Sequence, residues 1–321
     1  MILVTGATGF IGGYLLRALL DSNHDVVGTS RYEYRRETQY VLGDAWKTFP
    51  LVRADVRDMQ SLREVFDRYR PTCVVHLDAY VSPVELKTDP LRAIEYNFME
   101  TVNVLELARE FDTQRVIFAS SIAVLPTIRY LPIDANHPLV TATEGPGGGF
   151  YGAAKAASEI FGLTYSDSFD VDFRIVRPSA VYGFGMQWPI GIKPVIEGLV
   201  RGESVAVAGS APLRDYTPVE DVAAVFASVV DCDSACDRIF YAGTGAELSS
   251  SHDLFNAVRT VFPEGSITLS DSNLDPTGVE SRYRGRLDMS PARNQLGLQP
   301  HYGDLAEGLA HYANAYSDFT S

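Results

Sequence analysis

The opening twelve residues constrain this chain more than any other stretch. Ile2-Leu-Val-Thr5 is an apolar run of strand length, Gly6-Ala-Thr-Gly9-Phe-Ile-Gly12 follows, and Tyr14 to Leu20 is amphipathic. Strand, glycine turn and helix in that order form a dinucleotide-binding fingerprint. Gly6 permits the tight turn, Gly9 lets a phosphate approach the backbone, and Gly12 lets the helix pack closely on the strand. The helix N-terminus adds N–H donors and positive potential. Thr8, Phe10 and Ile11 lie within the same turn and are assigned to the cofactor with the three glycines.

The next segments extend the pattern. His24 to Ser30 reads as a second strand. An NAD site would end it in Asp or Glu to hold the ribose 2′-hydroxyl. Ser30-Arg31 stands there instead, with Arg35 and Arg36 soon after. A guanidinium suits a 2′-phosphate, so Ser30 and Arg31 are assigned to the cofactor and NADP is expected. NAD stays open, with Arg31 solvated and Glu33 on the ribose. Residues 32–49 read as a loop. Leu51 to Ala54 is a third strand, followed by Asp55 and Val56. Asp55 is placed to accept from the adenine amino group, or else to cap a helix over Met59 to Tyr69. Cys73 to Leu77 is a fourth strand leading into Asp78-Ala79, and Leu77, Asp78 and Ala79 are assigned to the cofactor. Alternating strands and helices predict an α/β, doubly wound parallel sheet. A helix from Leu91 to Phe111 contains Asn97, which either orients a backbone carbonyl or water near the site or faces solvent.

Arg115 to Ser121 is a fifth strand ending in two serines. Ligands of open α/β sheets sit beyond the carboxyl ends of the strands, where a Ser hydroxyl can bond a substrate carbonyl oxygen. After a loop from Pro126 to Gly149 comes Tyr151-Gly-Ala-Ala-Lys155, on a helix through about Phe169. Residues four apart share one helix face. A phenol with a pKa of about 10 is a poor acid–base group, and an ammonium beside it favours phenolate. Such a pair can exchange a proton with a secondary alcohol or ketone; alone, the spacing is more often that of a structural helix face.

The chain has 321 residues, 46% hydrophobic, enough for a large core. The second half is less regular: a strand from Asp172 to Arg177 is ended by Pro178, then come Val181-Tyr-Gly-Phe-Gly185, a loop with Trp188 and Pro189, a helix over Ile192 to Gly202, a strand over Val205 to Val207, an apolar helix after Arg214-Asp-Tyr-Thr-Pro-Val-Glu-Asp221, and a last helix over Asp304 to Tyr316. The division expected is 1–178 as the dinucleotide-binding domain, with 219–245 returning to it, and 179–321 mostly as the substrate-binding cap. A net charge of −14 and a pI of about 4.8 disfavour nucleic acid and anionic membranes. No run is apolar enough to span a membrane, and the N-terminus lacks a signal-peptide pattern. Cys73, Cys232 and Cys236 read as free thiols of a reducing cytosol, with no metal expected.

Together these motifs resemble the extended short-chain dehydrogenase/reductase family, also described as the NAD-dependent epimerase/dehydratase family. The matching stretches are Thr5 to Gly12, Val74 to Leu77, Asn97, Ser120-Ser121, Tyr151 to Lys155, Arg177-Pro178 with Val181-Tyr-Gly183, and Arg214-Asp-Tyr with Val219-Glu-Asp221. The resemblance implies Tyr151 as acid/base, Lys155 lowering its pKa and binding the nicotinamide ribose, and Ser121 polarising the substrate oxygen. It places Asn97 and Pro178 at the cofactor, Tyr182 and Arg214 at the substrate, and Arg214 on a nucleotide-sugar diphosphate. Arg214 could instead be a structural partner of Asp215 or Glu220. A homodimer built through the helix after the fourth strand and the Tyr–Lys helix is also implied.

The chain departs from the family around the substrate. Ile122-Ala123 stands where dehydratases carry an acidic residue after the catalytic Ser or Thr, and Leu125-Pro126 replaces Tyr-Gly. Asp78 replaces a small residue, Pro218 a frequent His, and Gly145-Pro-Gly-Gly-Gly149 precedes the Tyr. The reading favoured is an NADP(H)-dependent oxidoreductase acting on a sugar or nucleotide-sugar ketone. The alternative is a nucleotide-sugar epimerase with a retained cofactor. A redox-sensing module that binds NADP without chemistry is the third, disfavoured because Ser121, Tyr151 and Lys155 are all present.

Overall fold

The computed structural model describes residues 1–187, 191–270 and 285–321; the loop expected at Trp188 and Pro189 lies outside them. The strands are β1 (Ile2–Thr5), β2 (Val26–Ser30), β3 (Leu51–Arg53), β4 (Cys73–His76), β5 (Arg115–Ala119), β6 (Asp172–Pro178), β7 (Ala180–Tyr182), β8 (Val205–Ala208), β9 (Tyr216–Pro218), β10 (Ile239–Ala242) and β11 (Ile267–Ser270). Seven form one parallel sheet in the order β10-β6-β5-β4-β1-β2-β3, while β8 pairs with β11 and β7 with β9. The helices are α1 (Phe10–Asp21), α2 (Arg36–Leu42), α3 (Met59–Tyr69), α4 (Pro83–Thr88), α5 (Leu91–Ala93), α6 (Glu100–Glu110), α7 (Gly149–Phe169), α8 (Ile192–Val200), α9 (Val219–Asp231), α10 (Ser251–Val261), α11 (Ser290–Leu296) and α12 (Leu305–Thr320).

The central strands are apolar on both faces because both are covered. Ile2 and Val4 of β1 join a core with Leu15 and Leu19 of α1 and Val222 and Phe226 of α9. Leu3, between them, points the other way into a core with Leu62 and Phe66 of α3 and Val104 and Leu107 of α6. This period of two carried across the sheet makes it doubly wound. The strand order reverses beside β1, so the cleft of such a sheet opens between the loops after β1 and β4. A third core gathers Tyr182, Phe184, Ile196, Leu199, Leu254, Leu309 and Tyr312 in the C-terminal region. It is tied to the first: Tyr14 donates to the Phe184 carbonyl at 3.1 Å and Arg35 to that of Gly185 at 3.1 Å.

Three elements differ from expectation. Residues 32–49 are not all loop: α2 and a 3₁₀ turn over Gly43–Lys47 lie there, because Leu42 and Phe49 enter the main core and Thr38 donates to the Thr8 carbonyl at 3.0 Å. The helix expected over Leu91 to Phe111 is broken by a π turn at Ile94–Met99. Asp55 is not a helix cap: Asp58 caps α3, accepting from the Gln60 and Ser61 amides, while Asp55 grips the Arg57 guanidinium.

Gly12 shows how tightly the first turn is packed. A Cβ there would fall against the Gly6 carbonyl oxygen and lie 2.8 Å from that of Ala7. These are backbone atoms, so the helix itself must move. Gly12→Ala is expected to cost about 1–3 kcal/mol in chemical denaturation. Gly145→Ala, where a Cβ meets nothing within 4 Å, should leave stability within about 0.5 kcal/mol.

Candidate active site

The β1–α1 turn is shaped for a phosphate. Gly6 sits at φ +66° and a Cβ on it would lie 2.9 Å from the Asp78 amide nitrogen, so this turn touches the loop after β4. Gly9 caps α1 with no side chain over the first helical amides, which leaves N–H groups of the first turn, including those of Phe10 and Ile11, to an incoming anion. Behind the turn Thr5 Oγ1 and His76 Nδ1 share a 2.7 Å hydrogen bond, and Thr5 also receives the Asp78 amide. Burial pushes His76 down to about 3, which keeps it neutral.

The walls of the turn come from β2, β3 and β4. Thr8 and Ser30 join hydroxyls at 2.6 Å, and Ser30 also accepts from the Tyr32 amide. Arg31 crosses the turn to Asp78, 3.5 Å away, with its guanidinium over the Tyr96 ring. Arg35 and Arg36, read as neighbours of a 2′-phosphate, are directed elsewhere: Arg35 to Glu37 and the Gly185 carbonyl, Arg36 over Phe319. Leu77 and Ala79 flank Asp78, and buried Val56 follows Asp55 on the β3 side. Asn97 is buried, not solvated, and brackets one residue of the β4 loop: it accepts from the Tyr80 amide at 2.8 Å and donates to the Tyr80 carbonyl at 2.9 Å. The π turn leaves its own carbonyl to accept from Ser158 of α7 at 3.0 Å.

Helix α7 is docked on the end of β5. Lys155 is 1% exposed and its Nζ donates to the Ala119 carbonyl at 2.7 Å, lying 4.6 Å from the Phe118 ring centre and 5.9 Å from that of Tyr151. A Cβ at Gly152 would strike the Ala123 carbonyl, so only glycine lets α7 come this close to the turn after Ser121. The glycine run before Tyr151 serves the same approach, since the Gly147 and Gly148 amides donate to the Leu125 and Ala123 carbonyls. Among the chain's own groups burial outweighs the expected depression of the phenol: it pushes Tyr151 up to about 12, with the Ser121 hydroxyl pulling back, and pulls Lys155 down to about 8.

The structure therefore brings Ser121, Tyr151 and Lys155 together beside the β1 and β4 loops. Pro178 is buried at the end of β6, paired with Ala242 of β10. Tyr182 departs from expectation. It is buried in the C-terminal core with Phe184 and Leu309, its hydroxyl against Gly308 of α12. Arg214 is half-buried and backbone-paired with Ser249, while Asp215 and Glu220, weighed as its partners, are met by Thr244 and His311. Sequence reasoning missed Glu159, one turn past Lys155. It is buried in a salt bridge with Arg177 at 2.7 Å and receives the Ser120 hydroxyl at 2.5 Å. It missed Glu100 as well, a wholly buried carboxyl whose i±3 spacing from Asn97 and Asn103 could have revealed its face. Among the described residues no group of His, Cys, Asp and Glu is arranged to hold a metal, and no helix is long and apolar enough to cross a membrane.

Residues 2–243 match the NAD dependent epimerase/dehydratase family. The chain belongs to that family. A relative from Mycolicibacterium smegmatis, a UDP-glucose 4-epimerase, is 31% identical over 315 residues, covering 96% of each chain. A putative UDP-glucose 4-epimerase of Methanocaldococcus jannaschii is 29% identical and covers 98% of this chain and 97% of its own. Among solved structures, the Thermus thermophilus UDP-glucose 4-epimerase in complex with NAD has a TM-score of 0.79 at 25% identity, over 98% of both chains. The Thermotoga maritima UDP-glucose 4-epimerase with UDP-glucose shares the fold at a TM-score of 0.84 and 22% identity, over 100% of this chain and 99% of its own. Family membership makes this an enzyme of the NAD-dependent extended short-chain dehydrogenase/reductase type.

The buried carboxyl at Glu100 gives the fold a pH signature. Burial, then the Asp78 carboxyl, pushes it from 4.5 up to about 9. An acid raised in the folded state contributes stability that is complete below its unfolded pKa and is lost as pH rises toward the folded one. Denaturation of the wild type relative to Glu100→Gln should therefore show a loss of stability from about pH 4.5 to pH 9; parallel curves would contradict the assignment.

Proposed function

We propose that the protein is a nucleotide-sugar 4-epimerase that retains NAD and returns it unchanged. The observation that carries this is the joining of Ser121, Tyr151 and Lys155 to the glycine turn, in a chain 31% identical along its length to a UDP-glucose 4-epimerase. This favours the epimerase over the net oxidoreductase and over the sensor. A bound nicotinamide dinucleotide supplies reversible hydride acceptance at the sugar carbon. Tyr151 takes the proton of the sugar hydroxyl, Ser121 steadies the carbonyl oxygen that develops, and Tyr151 returns the proton after the keto sugar has turned over. Lys155, fixed on Ala119, holds positive charge under the phenol and a ribose hydroxyl within its reach. Ile122-Ala123 offers no carboxyl for a second proton, which argues against dehydration.

The NADP expectation gives way to NAD because Arg31 already faces a carboxyl partner in Asp78, and a 2′-phosphate there would meet that negative charge. Arg214 remains the proposed contact for the sugar-nucleotide diphosphate. A homodimer is proposed through the exposed apolar faces of the π turn and α7, where Ile94, Met99, Ile160 and Phe161 are 40–57% exposed; a solution mass of a single chain by light scattering would refute it. No nucleic-acid partner is proposed, given the acidic surface.

The test is chemical. Purified protein should interconvert UDP-glucose and its 4-epimer with no net change in nicotinamide absorbance, and Tyr151→Phe should lower kcat by about a hundredfold or more while the protein stays folded. Stoichiometric consumption of the nicotinamide would restore the net oxidoreductase reading. Full activity in Tyr151→Phe would remove the proposed acid/base.

A further inference from the structure

Asp78 brings a carboxyl group to the edge of the glycine turn from a different strand. It follows β4, its amide donates to Thr5 Oγ1, and a Cβ on Gly6 would lie 2.9 Å from that amide nitrogen. Its side chain reaches toward the end of β2, where Oδ1 lies 3.5 Å from the Arg31 guanidinium. The sheet order here is β4-β1-β2, so this ion pair spans the carboxyl end of β1, across the turn shaped for phosphates. The pair is not sealed in: the Arg31 and Asp78 side chains keep 19% and 11% of their surface open, and beyond the carboxyl ends of the strands that surface faces the cleft. In this kind of sheet the end of β2 reads the adenosine ribose. A carboxylate there takes the 2′-hydroxyl of NAD, and an arginine accommodates the 2′-phosphate of NADP. This chain splits the two devices between two strands. β2 ends in Ser30, whose hydroxyl is engaged with Thr8 and the Tyr32 amide. The arginine follows it, over the Tyr32 and Tyr96 rings at 5.7 and 5.1 Å from their centres. The carboxylate comes from β4. The neighbouring guanidinium groups are directed elsewhere: Arg35 to Glu37, Arg36 over Phe319 and Arg57 to Asp55.

We infer that Asp78 is the residue that selects NAD over NADP: from the loop after β4 it claims Arg31 and sets a negative charge where a 2′-phosphate would lie. A phosphate monoester carries about −1.5 to −2 charge at neutral pH. To bind at the end of β2 it must draw Arg31 away from Asp78 and leave that carboxyl facing a second anion. A ribose 2′-hydroxyl carries no charge and leaves the ion pair intact. Burial pushes the Asp78 carboxyl up, and Arg31 is the nearest group that pulls it back toward the charged form. The arginine and its two aromatic rings are then a 2′-phosphate site already assembled and masked by one side chain. A guanidinium released there would bond a phosphate through charge-assisted hydrogen bonds.

The inference rests on the proposed NAD reading and is tested apart from it. The full-length chain, cleared of bound dinucleotide, is titrated calorimetrically with NAD and with NADP. Wild type should prefer NAD by about tenfold or more. Asp78→Ala should move that preference toward NADP by about tenfold or more. Asp78→Asn, which keeps the shape and removes the charge, should move it the same way and carries the comparison if the Ala variant does not fold. Adding Arg31→Ala to either variant should abolish the gain for NADP. An unchanged preference in the Asp78 variants, a gain that survives without Arg31, or a shift produced by Glu33→Gln in their place would overturn the inference while leaving NAD binding intact. A wild type that prefers NADP would overturn the NAD reading and this inference with it, and a folded wild type that binds neither would overturn the dinucleotide reading itself.

Discussion

The contact on which the site depends is the docking of α7 onto the end of β5. A lysine ammonium at 1% exposure is tolerated only because it is hydrogen-bonded, here to the Ala119 carbonyl at 2.7 Å. Ala119 ends β5, two residues before Ser121. The bond therefore fixes Tyr151 and Ser121 in one frame. Gly152 against Ala123 removes the side chain that would hold the helix off, and Ser158 on the Asn97 carbonyl ties the same helix to the β4 loop. The ends of β4 and β5 are thus held to one helix at the mouth of the sheet.

Electrostatics divides the buried charges behind this frame into two kinds. Glu159 and Arg177 are 1% and 2% exposed and fully engaged, with Ser120 and Tyr241 supplying further bonds. Such a pair is weak evidence for stability but resists losing either partner, and it keeps the β5 and β6 ends in register below Lys155. The charges on the cofactor side are less completely matched: Arg31 meets Asp78 only at 3.5 Å, and Glu100 has no partner.

The sequence carried the first half of the fold clearly because its signals are local. A strand, three glycines and a helix within twenty residues need no tertiary knowledge, and alternating apolar runs then dictate the sheet. The site triad was legible for the same reason, as a helix spacing and a strand end. What was not legible depends on contacts between distant residues. Segment 32–49 looks polar, yet Leu42 and Phe49 anchor it in the main core. Tyr182 sits in a motif expected near substrate, but it packs into the C-terminal core against Gly308, a contact 126 residues away in sequence. Glu100 carries no local sign of its burial, which depends on the packing of the helix face it shares with the buried Asn97 and Asn103. The opposing pull of burial and neighbouring groups on Tyr151 likewise belongs to the packed site and not to the Tyr–Lys spacing.

The central claim is that the sugar lends its C4 hydride to a dinucleotide held at the β1–α1 turn and takes it back at the same carbon, while Tyr151 carries the hydroxyl proton. The most direct measurement is isotopic: UDP-glucose carrying deuterium at sugar C4 is converted by the protein, and the epimer is analysed by mass spectrometry and NMR. The account predicts that deuterium stays at C4 with none released to solvent. Washout of the label into water would mean that a proton is removed from carbon, and would contradict it.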